Sequence, residues 1–194
     1  LTEEEEDMLQ KVCSAFERVI VLLNVGNIID MSWVSKYNPQ AVMYVWQGGM
    51  EGGNSVADVV MGRVNPCGKL SDTIAYSIED YPSTPYYGDE KDVYYAEDIF
   101  VGYRYFETFA PEKVQYPFGY GLSYTKFDWD VKDYKVTKDE ITVKVKVKNT
   151  GDVAGKDVVQ VYFSAPYYEG GIEKSAIDLG EYEKTKILAP NESD

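Results

Sequence analysis

Val19-Ile20-Val21-Leu22-Leu23-Asn24-Val25-Gly26-Asn27 decides the fold of the first part of this chain. Five consecutive apolar residues are closed by Gly26-Asn27, a run of strand length. Side chains alternate between the faces of a strand, so a strand apolar at every position needs cover on both, as in a parallel sheet flanked by helices. Upstream, Thr2 and Glu5 have the spacing of a capping box, and Glu3 to Asp7 fall where the dipole of a starting helix favours negative charge. Met8, Leu9, Val12, Cys13 and Phe16 then recur at helical spacing. Downstream, Met31 to Tyr37 reads as a short helix. Ala41 to Trp46 is a second apolar strand, ended by Gln47-Gly48-Gly49. Asn54 to Met61 is a further helix, with Gly62 as its stop. Alternating strands and helices give right-handed βαβ crossovers and an α/β first portion, with only part of a sheet expected.

From about Asp80 to Gly121 the pattern breaks. Tyr81-Pro82, Pro85-Tyr86-Tyr87-Gly88 and Tyr116-Pro117-Phe118-Gly119-Tyr120-Gly121 form a Tyr/Pro/Gly-rich connection, and so long an aperiodic stretch is a functional segment or a linker. After Ser123 the period becomes two. Ile141, Val143, Val145 and Val147 alternate with Thr142, Lys144, Lys146 and Lys148, which gives a half-buried antiparallel strand. Asn149-Thr150-Gly151-Asp152 turns the chain, and strands are expected at Val158 to Phe163 and Tyr182 to Leu188. Short strands with turns between them predict an all-β sandwich, incomplete because about four strands are present where an immunoglobulin-like sandwich wants about seven. The division expected is residues 1–80 α/β, 81–122 linker and 123–194 sandwich.

Composition removes several function classes. The 194 residues carry 19 basic and 33 acidic side chains, a net charge of −14, and no histidine. A phosphate backbone needs an excess of Lys and Arg, so nucleic acid is not an expected partner. Without imidazole there is no Ser-His-Asp or Cys-His machinery and no histidine metal site, and no cofactor is expected. The 18 tyrosines suit sugars and interfaces as well as cores. No apolar run approaches the ~20 residues of a membrane span, so no membrane partner is expected. The chain opens at Leu1, read as a processed protein or a piece of a longer one. Cys13 and Cys67 are too few for a disulfide framework and read as thiols of a reducing, cytoplasmic compartment.

Gly62 to Leu70 mimics a phosphate loop, but five residues separate its glycines, Leu70 follows Lys69, Pro66 removes an N–H, and a helix precedes it. Gly48-Gly49-Met50-Glu51-Gly52-Gly53 does not match a dinucleotide loop. It does sit where loops at the carboxyl ends of parallel strands face a ligand crevice. Trp46 and Gln47 are therefore candidate substrate contacts, a stacking ring beside an amide, against the alternative of core packing. Asp128, Asp130 and Asp133 lack calcium-loop spacing and read as exposed strand residues. In Tyr94 to Phe106, Glu97 and Arg104 with Tyr103 are candidate ligand contacts, Arg104 as a stacked cation. The alternative there is an interdomain clamp.

Taken together, these stretches resemble one family. Val21 to Asn27, Trp46 to Asn54 and Gly62 to Leu70 are similar to the later part of the α/β-sandwich domain of family 3 glycoside hydrolases. Tyr95 to Phe106 and Tyr116 to Tyr124 resemble that family's connection into its fibronectin type III-like domain, and Asn149 to Tyr162 that domain's central strands. The wording Glu97-Asp98 and Tyr105 to Phe109 is most similar to members with permuted domain order. The resemblance implies a retaining β-glycosidase, often a β-glucosidase, which works through two carboxyl groups about 5 Å apart. In the family the nucleophile is an Asp on a separate (β/α) barrel, and the acid/base a Glu on a loop before the helix that opens this chain. Neither position matches a residue here, so no catalytic residue is assigned. Glu51, Glu97 and Asp98 do not take those roles. The partners so implied are a β-linked glucoside or oligosaccharide, held by the parent enzyme, and the missing barrel; a homodimer is kept open. A non-catalytic carbohydrate-binding or adhesion module is the alternative.

Overall fold

The computed structural model describes residues 1–88 and 91–194; Asp89 and Glu90, inside the Tyr/Pro/Gly-rich connection, lie outside the described residues. The chain divides into two compact units. The first comprises Leu1–Val56, Leu70–Gly119 and Ala165–Ala176, and the second Ala57–Lys69, Tyr120–Ser164 and Ile177–Asp194.

The first unit is α/β. Helix α1 (Glu3–Ala15) starts on the expected capping box: the Glu5 amide donates to the Thr2 hydroxyl at 3.3 Å and the Thr2 amide to the Glu5 carboxylate at 2.8 Å. Strands β1 (Ile20–Leu23) and β2 (Ala41–Tyr44) pair in parallel, Ile20 opposite Ala41 and Leu23 opposite Tyr44. Helix α2 (Ser32–Tyr37) forms the crossover between them. Leu9, Leu23, Met31, Trp33 and Ile74 make the core, with Val21, Val25, Val42 and Tyr44 packed against it. The expectation that β1 is covered on both faces holds on one only. Strand alternation turns Val21 and Leu23 to the core, while Ile20 and Leu22 remain 50% and 46% exposed on the other face.

Helix α3 (Gly52–Val60) begins two residues before the expected Asn54, and Gly62 ends it at φ +71°. The connection read as aperiodic holds more structure than its sequence suggested. Within it, strand β4 (Val114–Tyr116) pairs antiparallel with β3 (Ile74–Ala75), which lies just before the connection, and helix α4 (Tyr103–Phe109) precedes β4. At seven residues α4 is too short for its period to show, and its aromatics masked it further. Phe106 is 1% exposed and anchors a second core with Ala75 and Ala110; Tyr81 meets it edge-on at 5.3 Å. The Tyr81 hydroxyl donates to the Thr73 carbonyl at 3.0 Å and accepts from the Ala75 amide at 2.9 Å. Burial pushes its pKa up, so it stays a donor through the neutral range.

The second unit is built on two antiparallel hairpins. Strands β5 (Phe127–Val136) and β6 (Ile141–Asn149) run in register from Phe127 opposite Asn149 to Val136 opposite Ile141, with a bulge between Val131 and Asp133. Lys148, Lys146 and Lys144 stand opposite Asp128, Asp130 and Asp133, so the three aspartates are strand residues facing lysines. Strands β7 (Val158–Phe163) and β8 (Asp178–Lys184) form the other hairpin. The strand expected at Tyr182 to Leu188 thus lies several residues earlier. Past Lys184 the Thr185 amide still donates to the Asp157 carbonyl at 3.0 Å, its hydroxyl accepts from the Asp157 amide at 3.1 Å, and Leu188 turns to pair with Gly155. Gly180 lies under the Phe163 ring, where a Cβ would come within 3.3 Å. Leu188, Val147 and Asn149 are almost wholly buried.

Candidate functional site

The two turns at the carboxyl ends of β1 and β2 lie against each other in the first unit. Val45 donates its amide to the Leu23 carbonyl at 3.0 Å, extending the parallel ladder by one residue. Tyr44 then reaches across, its hydroxyl donating to the Asn27 carbonyl at 2.8 Å; burial raises its pKa and keeps that proton on. Trp46 has φ +53°, a left-handed conformation that costs a residue with a Cβ about 1–2 kcal/mol. Its ring packs on Tyr44 with centroids 4.7 Å apart. Gln47 lies over Gly26: a Cβ there would sit 3.0 Å from Gln47 Nε2. Gly48 is forced by backbone, since its Cβ would fall 2.8 Å from the Gly52 Cα at the start of α3.

Half-buried Trp46 and exposed Gln47 therefore sit at the strand ends, where open α/β sheets bind ligands. Trp33 donates its indole N–H to the Asp30 carbonyl at 2.9 Å, and Trp129 to Asp157 at 2.9 Å. Among the described residues, no protein group takes the Trp46 indole N–H or the Gln47 carboxamide. These are groups a hydroxylated ligand can use.

Glu97, Tyr103 and Arg104 come from the loop before α4 and from its first turn. The Glu97 carbonyl accepts from the Phe100 amide at 2.8 Å, and Asp98 has φ +48°. Arg104 stands 5.9 Å from the Tyr103 ring centroid, and that ring packs on Phe118 at 4.9 Å. The stacked cation expected from sequence is thus at the outer limit of such contacts. The Arg104 carbonyl accepts from the Thr108 hydroxyl at 2.6 Å, which in turn accepts from the Ala176 amide at 2.8 Å. The described contacts fall into two groups, Trp46 and Gln47 on the strand-end turns and Tyr103 and Arg104 on α4.

The glycine-bounded stretch from Gly62 works inside the second unit. Asn65 Oδ1 accepts from the Ser123 hydroxyl at 3.0 Å and the Tyr124 amide at 2.9 Å, and Nδ2 donates to the Ala154 carbonyl at 3.2 Å. Lys69 Nζ donates to the Gly121 carbonyl at 2.9 Å and lies 3.2 Å from Asp157, whose other oxygen holds the Trp129 indole. Both ends of this pair are largely buried. The Lys69→Met variant strips Asp157 of its cation but leaves it the indole N–H. It is expected to cost about 2 kcal/mol in urea unfolding, the scale of one hydrogen bond to a charged group.

The profile of the glycosyl hydrolase family 3 C-terminal domain matches residues 1–124. The chain belongs to glycoside hydrolase family 3. It is 55% identical over 192 residues to a β-glucosidase of Ruminococcus albus, covering 99% of this chain and 20% of that protein. The crystal structure of a β-glucosidase from Paenibacillus barengoltzii superposes with a TM-score of 0.94 at 52% identity, over 100% of this chain and 22% of that one. A Kluyveromyces marxianus β-glucosidase in complex with glucose gives 0.92 at 40% identity, over 100% and 23%. This family 3 chain therefore spans about a fifth to a quarter of the length of the relatives it matches. Sequence reasoning missed Gly26 and Asn65 as organising residues. Gly26 looked like turn punctuation, and the partners of Asn65 lie 58 to 89 residues away.

Proposed function

We propose that this chain is part of a retaining β-glucosidase that hydrolyses β-linked glucosides, and that it furnishes sugar-pocket wall while the catalytic carboxylates lie outside it. The observation that carries the reading is the unspent hydrogen-bonding capacity of Trp46 and Gln47 at the ends of two parallel strands. The matched relatives being β-glucosidases supports it. A flat indole suits the apolar face of a pyranose and an amide its hydroxyls. Glu97, Tyr103 and Arg104 are proposed as further contacts. In a retaining enzyme one carboxylate attacks the anomeric carbon and a second protonates the departing oxygen, then activates water. Both roles are assigned elsewhere in the parent protein, with its (β/α) barrel.

The test is turnover of an aryl β-glucoside by the full-length protein and by the purified 194-residue chain. Activity of the former and none of the latter is expected. Turnover by the chain alone would overturn the assignment. The exposed rings of Tyr87 and Tyr95, each 91% accessible, favour a second reading as a glycan-binding module. Tight saturation of tryptophan fluorescence by β-glucan oligosaccharides, in the isolated chain, would support that reading instead.

A further inference from the structure

We infer that Gly26 is a positioning residue for Gln47, holding its carboxamide ready for a hydroxyl of the bound sugar; this rests on the proposal that the strand-end turns face a β-glucoside. The other glutamines of the first unit's sheet region are committed to the fold. Gln40 Oε1 accepts from the Val19 amide at 2.6 Å, and Gln115 Nε2 donates to the Met31 carbonyl at 3.0 Å. Gln47 makes no such bond among the described residues, and its amide lies on Gly26. Nε2, Cδ and Oε1 all pack over Gly26, at 3.0, 3.3 and 3.7 Å from where a Cβ would stand.

A methyl at 26 would displace the end of the amide, the part that makes hydrogen bonds. The backbone on either side has little room to adjust. Trp46 is held in its left-handed turn, Gly48 abuts Gly52, and Tyr44 ties the β2 end to Asn27. Freezing a free glutamine on binding costs rotamer entropy. An amide already laid on a glycine loses less, and its donors and acceptor, bonded to none of the described residues, are left for vicinal hydroxyls. Gly26 thus acts through Gln47 and has no contact with ligand of its own.

The experiment uses the full-length protein as wild type, Gly26→Ala, Gln47→Ala and the double variant, with an aryl β-glucoside as substrate. Each single change is expected to raise KM about ten-fold with kcat within about two-fold, the signature of a lost binding contact. The double variant should match Gln47→Ala, because Gly26 has nothing to position once the amide is gone. Melting temperatures should stay within a few degrees of wild type. An active wild type with KM unmoved by Gly26→Ala, or a double variant whose KM rises multiply, overturns the positioning role alone. A wild type that turns over no β-glucoside overturns the functional reading beneath it.

Discussion

Asn149→Ala is expected to destabilise the second unit by about 4 kcal/mol, a large share of the roughly 5–15 kcal/mol that holds a typical domain folded. Asn149 is wholly buried, and its amide is used at every point. Oδ1 accepts from the Thr125 hydroxyl at 2.7 Å and the Gly151 amide at 3.1 Å. Nδ2 donates to the Val153 carbonyl at 2.8 Å and the Leu188 carbonyl at 2.9 Å. Alanine leaves these four groups without their partner, and each buried orphan costs about 1–3 kcal/mol. Aspartate is no rescue. It retains the acceptor but faces two carbonyl oxygens with a buried charge, so Asn149→Asp should be at least as damaging. Urea denaturation followed by circular dichroism measures both variants. A loss below about 1 kcal/mol in Asn149→Ala would show that water replaces the amide and that the network is dispensable.

Trp33→Ala should cost the first unit a similar amount, about 3–5 kcal/mol, by a different route. Trp33 is 2% exposed within the core of Leu9, Leu23, Met31 and Ile74, so truncation opens a cavity and orphans the Asp30 carbonyl. Trp33→Phe separates the two effects. It retains most of the ring volume and should lose only about 1–2 kcal/mol for the missing N–H and the residual void. Thermal unfolding of the pair decides: equal losses in both variants would place the stability in the hydrogen bond and contradict the cavity argument.

The legibility of the sequence followed the range of the interactions. The capping box at Thr2 and Glu5, the runs that became β1 and β2, and the valine–lysine alternation of β6 are local patterns, and the structure holds each where expected. Helix α4 and the two-residue β3 are too short to impose a period. β8 slipped because Tyr182 to Leu188 looked more apolar than Asp178 to Gly180, while the ladder follows its partner β7. For the site, the positions of Trp46 and Gln47 at a strand end were readable. The left-handed Trp46, the glycine beneath the amide and the spent indoles of Trp33 and Trp129 are three-dimensional facts with no one-dimensional trace.

The interleaving of the two units along the chain sets a timetable for synthesis. Asn65 donates to the Ala154 carbonyl, 89 residues later. At roughly 5–20 residues per second, a ribosome needs about 4–18 s to go from one to the other. At the start of that interval none of β5 to β8 has been translated, and at its end only β5 and β6 have. Closing such distant contacts is slow in itself, since loop entropy is lost before the contact is gained. The nascent chain therefore carries Asn65 first without any of its partners, then with Ser123 and Tyr124, and only last with Ala154.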